Sequence, residues 1–225
     1  MPPLHVKYEP KTWRDVVGQD EVIETLERLR DSGGLAGRAY WLAGPSGTGK
    51  STIAKLIAKE VATEWFIEEI DACGWTPAAV QELERSMHLA TWDGGGRAYI
   101  VNEAHGIRRH TMRQLMVTLD RLPPHVAFIF TTTNSGEEVF LEDSDDASPL
   151  ISRCLRLTLR TNLERKFASH AQKIAALEDL DAAPLSAYVA LLRHLRCNLR
   201  AALQYIEAGG MKRVKKSRAG SFLFD

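Results

Sequence analysis

The run Gly44-Pro45-Ser46-Gly47-Thr48-Gly49-Lys50-Ser51 constrains this chain more than any other feature. It fits the pattern G-x-x-x-x-G-K-[ST] at every fixed position. An apolar strand-like run, Ala39 to Ala43, precedes it, and an amphipathic run with Ile53, Leu56 and Ile57 follows it. A strand, a glycine-rich turn and a helix in that order make a phosphate cradle. The glycines turn successive N–H groups inward, and the helix presents its positive end. The candidate phosphate contacts are Pro45, Ser46, Gly47, Thr48, Gly49, Lys50, Ser51 and Thr52. Lys50 is expected to reach the β and γ phosphates of ATP, and the Ser51 hydroxyl to ligate Mg²⁺.

Strand-like runs alternate with helical patterns through the first two thirds of the chain. The runs are Ala39 to Ala43, Trp65 to Ile70, Ala98 to Val101, Val126 to Thr131 and Cys154 to Leu159. Between them, Val22, Ile23, Leu26 and Leu29 form one helical stripe, and Met112, Leu115, Met116 and Leu119 form another. This layout predicts an α/β fold with a parallel sheet and helices on both faces. After Asn162 the strand pattern stops. Helices are expected around Leu163 to Leu177 and between Leu185 and Ala208, with Gly209 and Gly210 as a stop. The expected organisation is an α/β nucleotide-binding domain over 1–161, a small helical lid over 162–210 and a basic tail over 211–225.

The 225 residues suit one large domain or two small ones, and 44% apolar against 26% charged residues is an ordinary globular composition. Lys plus Arg and Asp plus Glu both number 29. Zero formal charge excludes a generally polybasic nucleic-acid binder, so any contact with nucleic acid must be local. Cys73, Cys154 and Cys197 are far apart and odd in number, which suggests a reduced, intracellular chain with small core thiols. No apolar run reaches the roughly 18 residues of a membrane span. A cytoplasmic protein with no membrane partner is expected. Glu137 to Asp146 holds six acids and reads as a solvated loop, and Met211 to Gly220 is basic enough to touch a phosphate backbone.

A second acidic element belongs at the end of a buried strand, where Ala98-Tyr99-Ile100-Val101-Asn102-Glu103 is the candidate. In P-loop enzymes an Asp here holds the Mg²⁺ hydration shell, and in one large branch a following Glu orients or deprotonates the attacking water. Glu103 is present, but Asn102 stands in place of the Asp. Asn keeps an acceptor oxygen for a water-mediated contact and loses a unit charge. At an effective dielectric of ~20 and ~4 Å, a charge pair is worth roughly 4 kcal/mol before desolvation. One full strand, Trp65 to Ile70, separates the phosphate loop from Asn102-Glu103, the order of the additional-strand, glutamate-using branch. The next strand ends in Thr131-Thr132-Thr133-Asn134, where Asn134 could position water beside the γ-phosphate.

These residues resemble the clamp-loader branch of AAA+ ATPases, the group of the replication factor C small subunit and the bacterial DNA polymerase III gamma and delta-prime subunits. Lys7-Tyr8-Glu9-Pro10 with Val16-Val17-Gly18-Gln19 looks like the family's opening segment, which wraps adenine; Glu9 stands where Arg is usual. The resemblance makes Tyr8, Val16 and Val17 the adenine-pocket residues. Leu115 to Phe128 is similar to a second family segment, with Pro123, His125, Val126 and Phe128 retained. Ser152-Arg153-Cys154 matches a third, whose Arg serves the neighbouring subunit's ATP site as an arginine finger. Cys197-Asn198-Leu199-Arg200-Ala201-Ala202-Leu203 resembles the lid motif, which makes Arg200 the γ-phosphate sensor.

The resemblance implies a P-loop AAA+ core with a five-stranded parallel sheet in the order 5-1-4-3-2, followed by a small all-α lid. It also implies ATP and Mg²⁺ as cofactors. The implied partners are other clamp-loader subunits, or copies of itself, in a ring or spiral, together with a sliding clamp and primer-template DNA. The family's four-cysteine zinc module is absent, and the chain ends near the start of the family's collar domain. Two other readings stay open: an AAA+ scaffold subunit that hydrolyses slowly or not at all, motivated by Asn102, and another AAA+ DNA-processing motor.

Overall fold

Short apolar runs, buried on both faces in the three central strands, set the architecture. The computed structural model describes residues 2–89, 91–92, 94–143, 145–213, 215–216 and 222–223. In chain order its main elements are α1 (Leu4–Lys7), α2 (Asp20–Gly33), β1 (Arg38–Ala43), α3 (Lys50–Val61), β2 (Ile67–Asp71), α4 (Pro77–Met87), β3 (Arg97–Asn102) and α5 (Arg109–Asp120). They continue with β4 (Val126–Thr132), α6 (Asn134–Asp143), α7 (Ala147–Ser152), β5 (Leu155–Thr158), α8 (Glu164–Leu177), α9 (Leu185–His194) and α10 (Leu199–Glu207). The five strands pair in parallel in the order β5-β1-β4-β3-β2, as expected.

The chain forms two compact units, one of residues 21–44 and 50–159 and the other of residues 1–20, 45–49 and 160–225. The first contains the sheet. Its period of two sends Trp41, Tyr99, Val101, Phe128 and Phe130 into a core with α4, α5, α6 and α7. Trp41 lies 5.7 Å from both Phe130 and Phe140, and Phe128 lies 5.9 Å from Phe130. Complete burial of each ring contributes about 2 kcal/mol over leaving it in water. The alternate residues Tyr40, Leu42, Ile100 and Ile129 are equally buried, and α3 packs on β1, β3 and β4. Strand β4 is buried along its whole length, whereas edge strand β2 is half-exposed. The second strand starts later than expected. Glu64–Phe66 forms a 3-10 turn, and Trp65 is 81% exposed.

The acidic run from Glu137 also departs from expectation. It lies largely within helix α6, and Glu137 is 5% exposed. Its carboxylate accepts from Trp41 Nε1 at 2.9 Å and Arg156 Nη2 at 2.8 Å. Those partners supply the pairing that a buried charge requires.

The second unit is helical around a core of Leu4, Phe167, Ile174, Tyr188, Leu191 and Leu203. Helices α8, α9 and α10 supply most of it, and α1 contributes Leu4. Gln19 is buried within this unit. Its amide nitrogen donates to Thr48 O and Arg160 O, both at 3.2 Å, and its oxygen accepts from Arg160 N at 2.9 Å. The side chains of the basic run Lys212 to Arg218 lie outside the described residues. Among the described residues no helix is long and apolar enough to cross a membrane.

Candidate functional site

In a parallel α/β sheet, chemistry gathers at the carboxyl ends of the strands. In the sheet unit, β1 runs into Gly44, whose N–H donates to Thr132 O at the end of β4 (3.3 Å). Lys50 opens α3 and is only 8% exposed; its ammonium donates to Gly44 O at 2.7 Å. Ser51 and Thr52 follow it, half-buried, in the first turn. A short, tucked lysine beside a helix N-terminus concentrates positive charge where a phosphate oxygen would sit.

The acidic element lies one strand beyond β4. Asn102 ends β3, and its side-chain oxygen accepts from Thr131 Oγ1 at 3.1 Å. Its amide nitrogen donates to Glu69 Oε2 on β2 at 3.4 Å. Asn102 therefore bridges the strands on either side of it. Glu103 follows in the left-handed region, with φ 52° and ψ 48°. A non-glycine residue in that conformation costs about 1 kcal/mol, and such strain gathers at functional sites. The Glu103 side chain is 55% exposed, and its Oε2 lies 3.5 Å from His105 Nδ1. Asn134 begins α6, directly after the Thr131-Thr132-Thr133 end of β4; its side chain lies outside the described residues.

The helical unit holds the middle of the loop, Pro45–Gly49. Thr48 Oγ1 donates to Pro45 O at 2.8 Å, and Gly47 O accepts from Leu199 N at 3.3 Å. Asn198 caps α10 by accepting from Ala201 N at 3.0 Å. A Cβ on Gly47, at φ 76°, would lie 2.0 Å from Asn198 Oδ1. Glycine is needed there for both the conformation and the close approach. Arg200 is exposed in the first turn of α10. Tyr8 and Val17 pack at the border of the helical core, and half-buried Val16 precedes Val17. The Tyr8 hydroxyl donates to Glu178, at the end of α8, and this bond holds the phenol above its ordinary pKa.

Arg153 ends α7. Its guanidinium grips Asp120, at the end of α5, through Nε–Oδ1 at 2.8 Å and Nη2–Oδ2 at 3.1 Å. The pair lowers the Asp120 carboxyl below the usual carboxylate range. Both side chains stay partly in solvent, at 33% and 55% exposure, where an ion pair is readily exchanged.

The donor set fits a Mg²⁺-nucleotide. In the sheet unit, Lys50 and the N-terminus of α3 offer positive charge to the phosphates. Ser51, Asn102, Glu69 and Glu103 offer hard oxygens. Among the described residues no group of three or more His, Cys, Asp or Glu could hold a metal by itself. Sequence reasoning did not pick out Glu69, His105, Gln19 or Asn198 as site residues. Gln19 stands in the Val-Gly-Gln segment and Asn198 in the lid segment, whereas Glu69 and His105 stand in neither.

A phosphate loop on the first strand, with an acid-bearing strand separated from it by β4, defines a P-loop ATPase of the additional-strand type. The chain belongs to the ATPase family associated with various cellular activities (AAA), whose pattern matches residues 40–158. Within that family it resembles the DNA polymerase III clamp-loader subunits. It is 27% identical over 226 residues to DNA polymerase III subunit gamma of Buchnera aphidicola subsp. Acyrthosiphon pisum, covering 89% of this chain and 59% of the relative. It is 29% identical over 177 residues to DNA polymerase III subunit tau of Escherichia coli, covering 68% and 26%. The chain thus spans 59% or less of these relatives' length. Among solved structures, the Thermotoga maritima RuvB Holliday junction branch migration motor superposes with a TM-score of 0.69 at 22% identity, covering 89% of this chain and 64% of that one. That likeness is one of fold.

Proposed function

We propose that this chain is a clamp-loader-type ATPase module acting in the cytoplasm. It would couple ATP bound between subunits to opening of a sliding clamp and binding of primer-template DNA in replication or repair. The observation that carries the reading is the junction of β1, β3 and β4, where Lys50, Thr131, Thr132, Asn102 and Glu103 end adjacent strands or begin the next helix. Lys50, Ser51 and the loop amides would hold Mg²⁺-ATP, and Tyr8, Val16 and Val17 would wall the adenine. Bound Mg²⁺ would supply charge neutralisation at the phosphates. Glu103 would orient a water molecule and take its proton, with Asn134 helping to fix that water and Arg200 sensing the γ-phosphate. Arg153 would leave Asp120 to serve a neighbouring subunit. In this reading residues 162–210 act as the lid.

Local phosphate contact is supported by a cleft lined by Trp75, Thr76, Arg108, His110 and Thr111. The starts of α4 and α5 border it, and neither helix has an acid in its first turn. Arg108 and His110 stand at the start of α5, against the helix dipole but suited to a DNA backbone, while Arg109 between them pairs with Asp146 at 3.0 Å. The test is ATP binding and turnover of the wild type and Lys50→Ala, with and without primer-template DNA and clamp. The expected result is wild-type turnover stimulated by DNA and an affinity loss of at least ~10-fold in the variant, the scale of a charge-assisted phosphate contact. Wild-type protein with no ATP affinity and no response to DNA or clamp sinks the reading. The scaffold alternative keeps one supporting observation, the uncharged Asn102, and predicts ATP binding with negligible turnover.

A further inference from the structure

His105 lies two residues beyond Glu103 and has no part in the mechanism above. Its Nδ1 is 3.1 Å from Thr132 Oγ1 and 3.5 Å from Glu103 Oε2. Thr132 Oγ1 also lies 3.2 Å from Thr133 O, to which it can donate while accepting from the imidazole. In the tautomer with hydrogen on Nδ1, the ring donates to the threonine oxygen and the Glu103 carboxylate lies 3.5 Å from the same nitrogen. The same Thr132 accepts the Gly44 N–H on its carbonyl, at 3.3 Å. A chain of contacts thus runs from the first glycine of the phosphate loop through Thr132 and His105 to Glu103. The ring also packs against Gly136 in the first turn of α6, where an added Cβ would lie 2.5 Å from Nδ1 and 2.7 Å from Cγ.

We propose that His105 is a positioning residue: its ring, hydrogen-bonded to Thr132 Oγ1 and 3.5 Å from Glu103 Oε2, fixes the direction of the Glu103 carboxylate relative to the phosphate loop. This rests on Glu103 acting on the attacking water. A half-exposed carboxylate with several rotamers gains orientation from a partner that is itself fixed on two sides. Removing the imidazole leaves the Glu103 charge and its left-handed backbone in place and frees only the direction. A misplacement of about 1 Å can cost up to ~100-fold in rate.

The test compares Glu103→Gln, His105→Ala, His105→Asn and Gly136→Ala in the full chain. Each is measured for steady-state ATP turnover, for equilibrium binding of a fluorescent non-hydrolysable ATP analogue, and for melting temperature. Glu103→Gln should lose turnover and keep binding. His105→Ala should lower kcat about 10- to 100-fold with analogue affinity within about twofold, a loss confined to the transition state. His105→Asn places an amide nitrogen near the Nδ1 position and should recover most of that rate. Gly136→Ala should lower kcat with the histidine intact, because its Cβ displaces the ring. Unchanged kcat in His105→Ala alongside a dead Glu103→Gln overturns the positioning role and leaves the role of Glu103 standing. Equal loss of rate in His105→Ala and His105→Asn, matched by a fall in melting temperature, also overturns it. Full turnover in Glu103→Gln removes the role of Glu103 and the positioning role with it.

Discussion

Asn102 has both ends of its amide committed, the oxygen to Thr131 and the nitrogen to Glu69. An aspartate in its place would keep the first bond and turn the second into two carboxylates 3.4 Å apart. Solvent at exposed Glu69 cuts their repulsion to on the order of 1 kcal/mol. Asn102→Asp therefore should not act as a simple restoration of the usual metal-side acid. It should lower the melting temperature of the Mg²⁺-free protein by roughly 2–4 °C, the shift that such an energy gives in a chain of this size. Adding Glu69→Gln, which restores a donor across the gap, should recover the loss. Thermal denaturation of the single and double variants without nucleotide measures both. A single variant as stable as the wild type would mean that Glu69 does not face residue 102 in solution. The usual residue at position 102 was legible from the motif, but its neighbour on β2 was not, because strand pairing places residues 33 positions apart side by side.

At the scale of elements, two glycines of one loop are constrained for different reasons. Gly49, at φ 103°, has open space where a Cβ would stand, so alanine there meets only backbone strain of about 1–2 kcal/mol. Gly47 adds a collision with Asn198, whose Oδ1, Cγ and Cα would lie 2.0, 2.5 and 2.9 Å from the new atom. Gly47→Ala should therefore lower the melting temperature more than Gly49→Ala. Asn198→Ala in the Gly47→Ala background should restore only part, since Cα and the positive φ remain. Equal shifts for the two alanine variants would show that the loop does not rest on the start of α10. The loop itself, β1 and β4 were readable because a motif and an unbroken apolar run are local signals. Helix α6 was not, because its acids imitate a solvated loop. What buries Glu137 is Trp41, 96 residues away, and Arg156, 19 residues away. Nothing local marks Leu4 as a partner of the helical core either.

At the scale of the whole molecule, the proposed mechanism needs one chain to lend Arg153 to another. Within its own chain Arg153 is paired with Asp120, and the pairing lowers the pKa of that carboxyl. The pair would be lost as pH falls through that lowered value. A partly exposed, solvent-screened partner suits an arginine that must change hosts, and leaving it gives up the bidentate pair and the Nη1 bond to Pro149 O at 2.9 Å. Complementation between two defective chains tests this. Arg153→Ala keeps a complete site in cis and lends no arginine, whereas Glu103→Gln binds ATP, cannot use it, and still carries Arg153. Each alone should show little turnover, and an equimolar mixture should recover a substantial part of it, with activity rising more steeply than linearly in protein concentration. The recovery should vanish when the second chain is Glu103→Gln/Arg153→Ala. If the mixture is no more active than its components while each binds the ATP analogue normally, Arg153 serves its own chain, and the Asp120 pair is its working position.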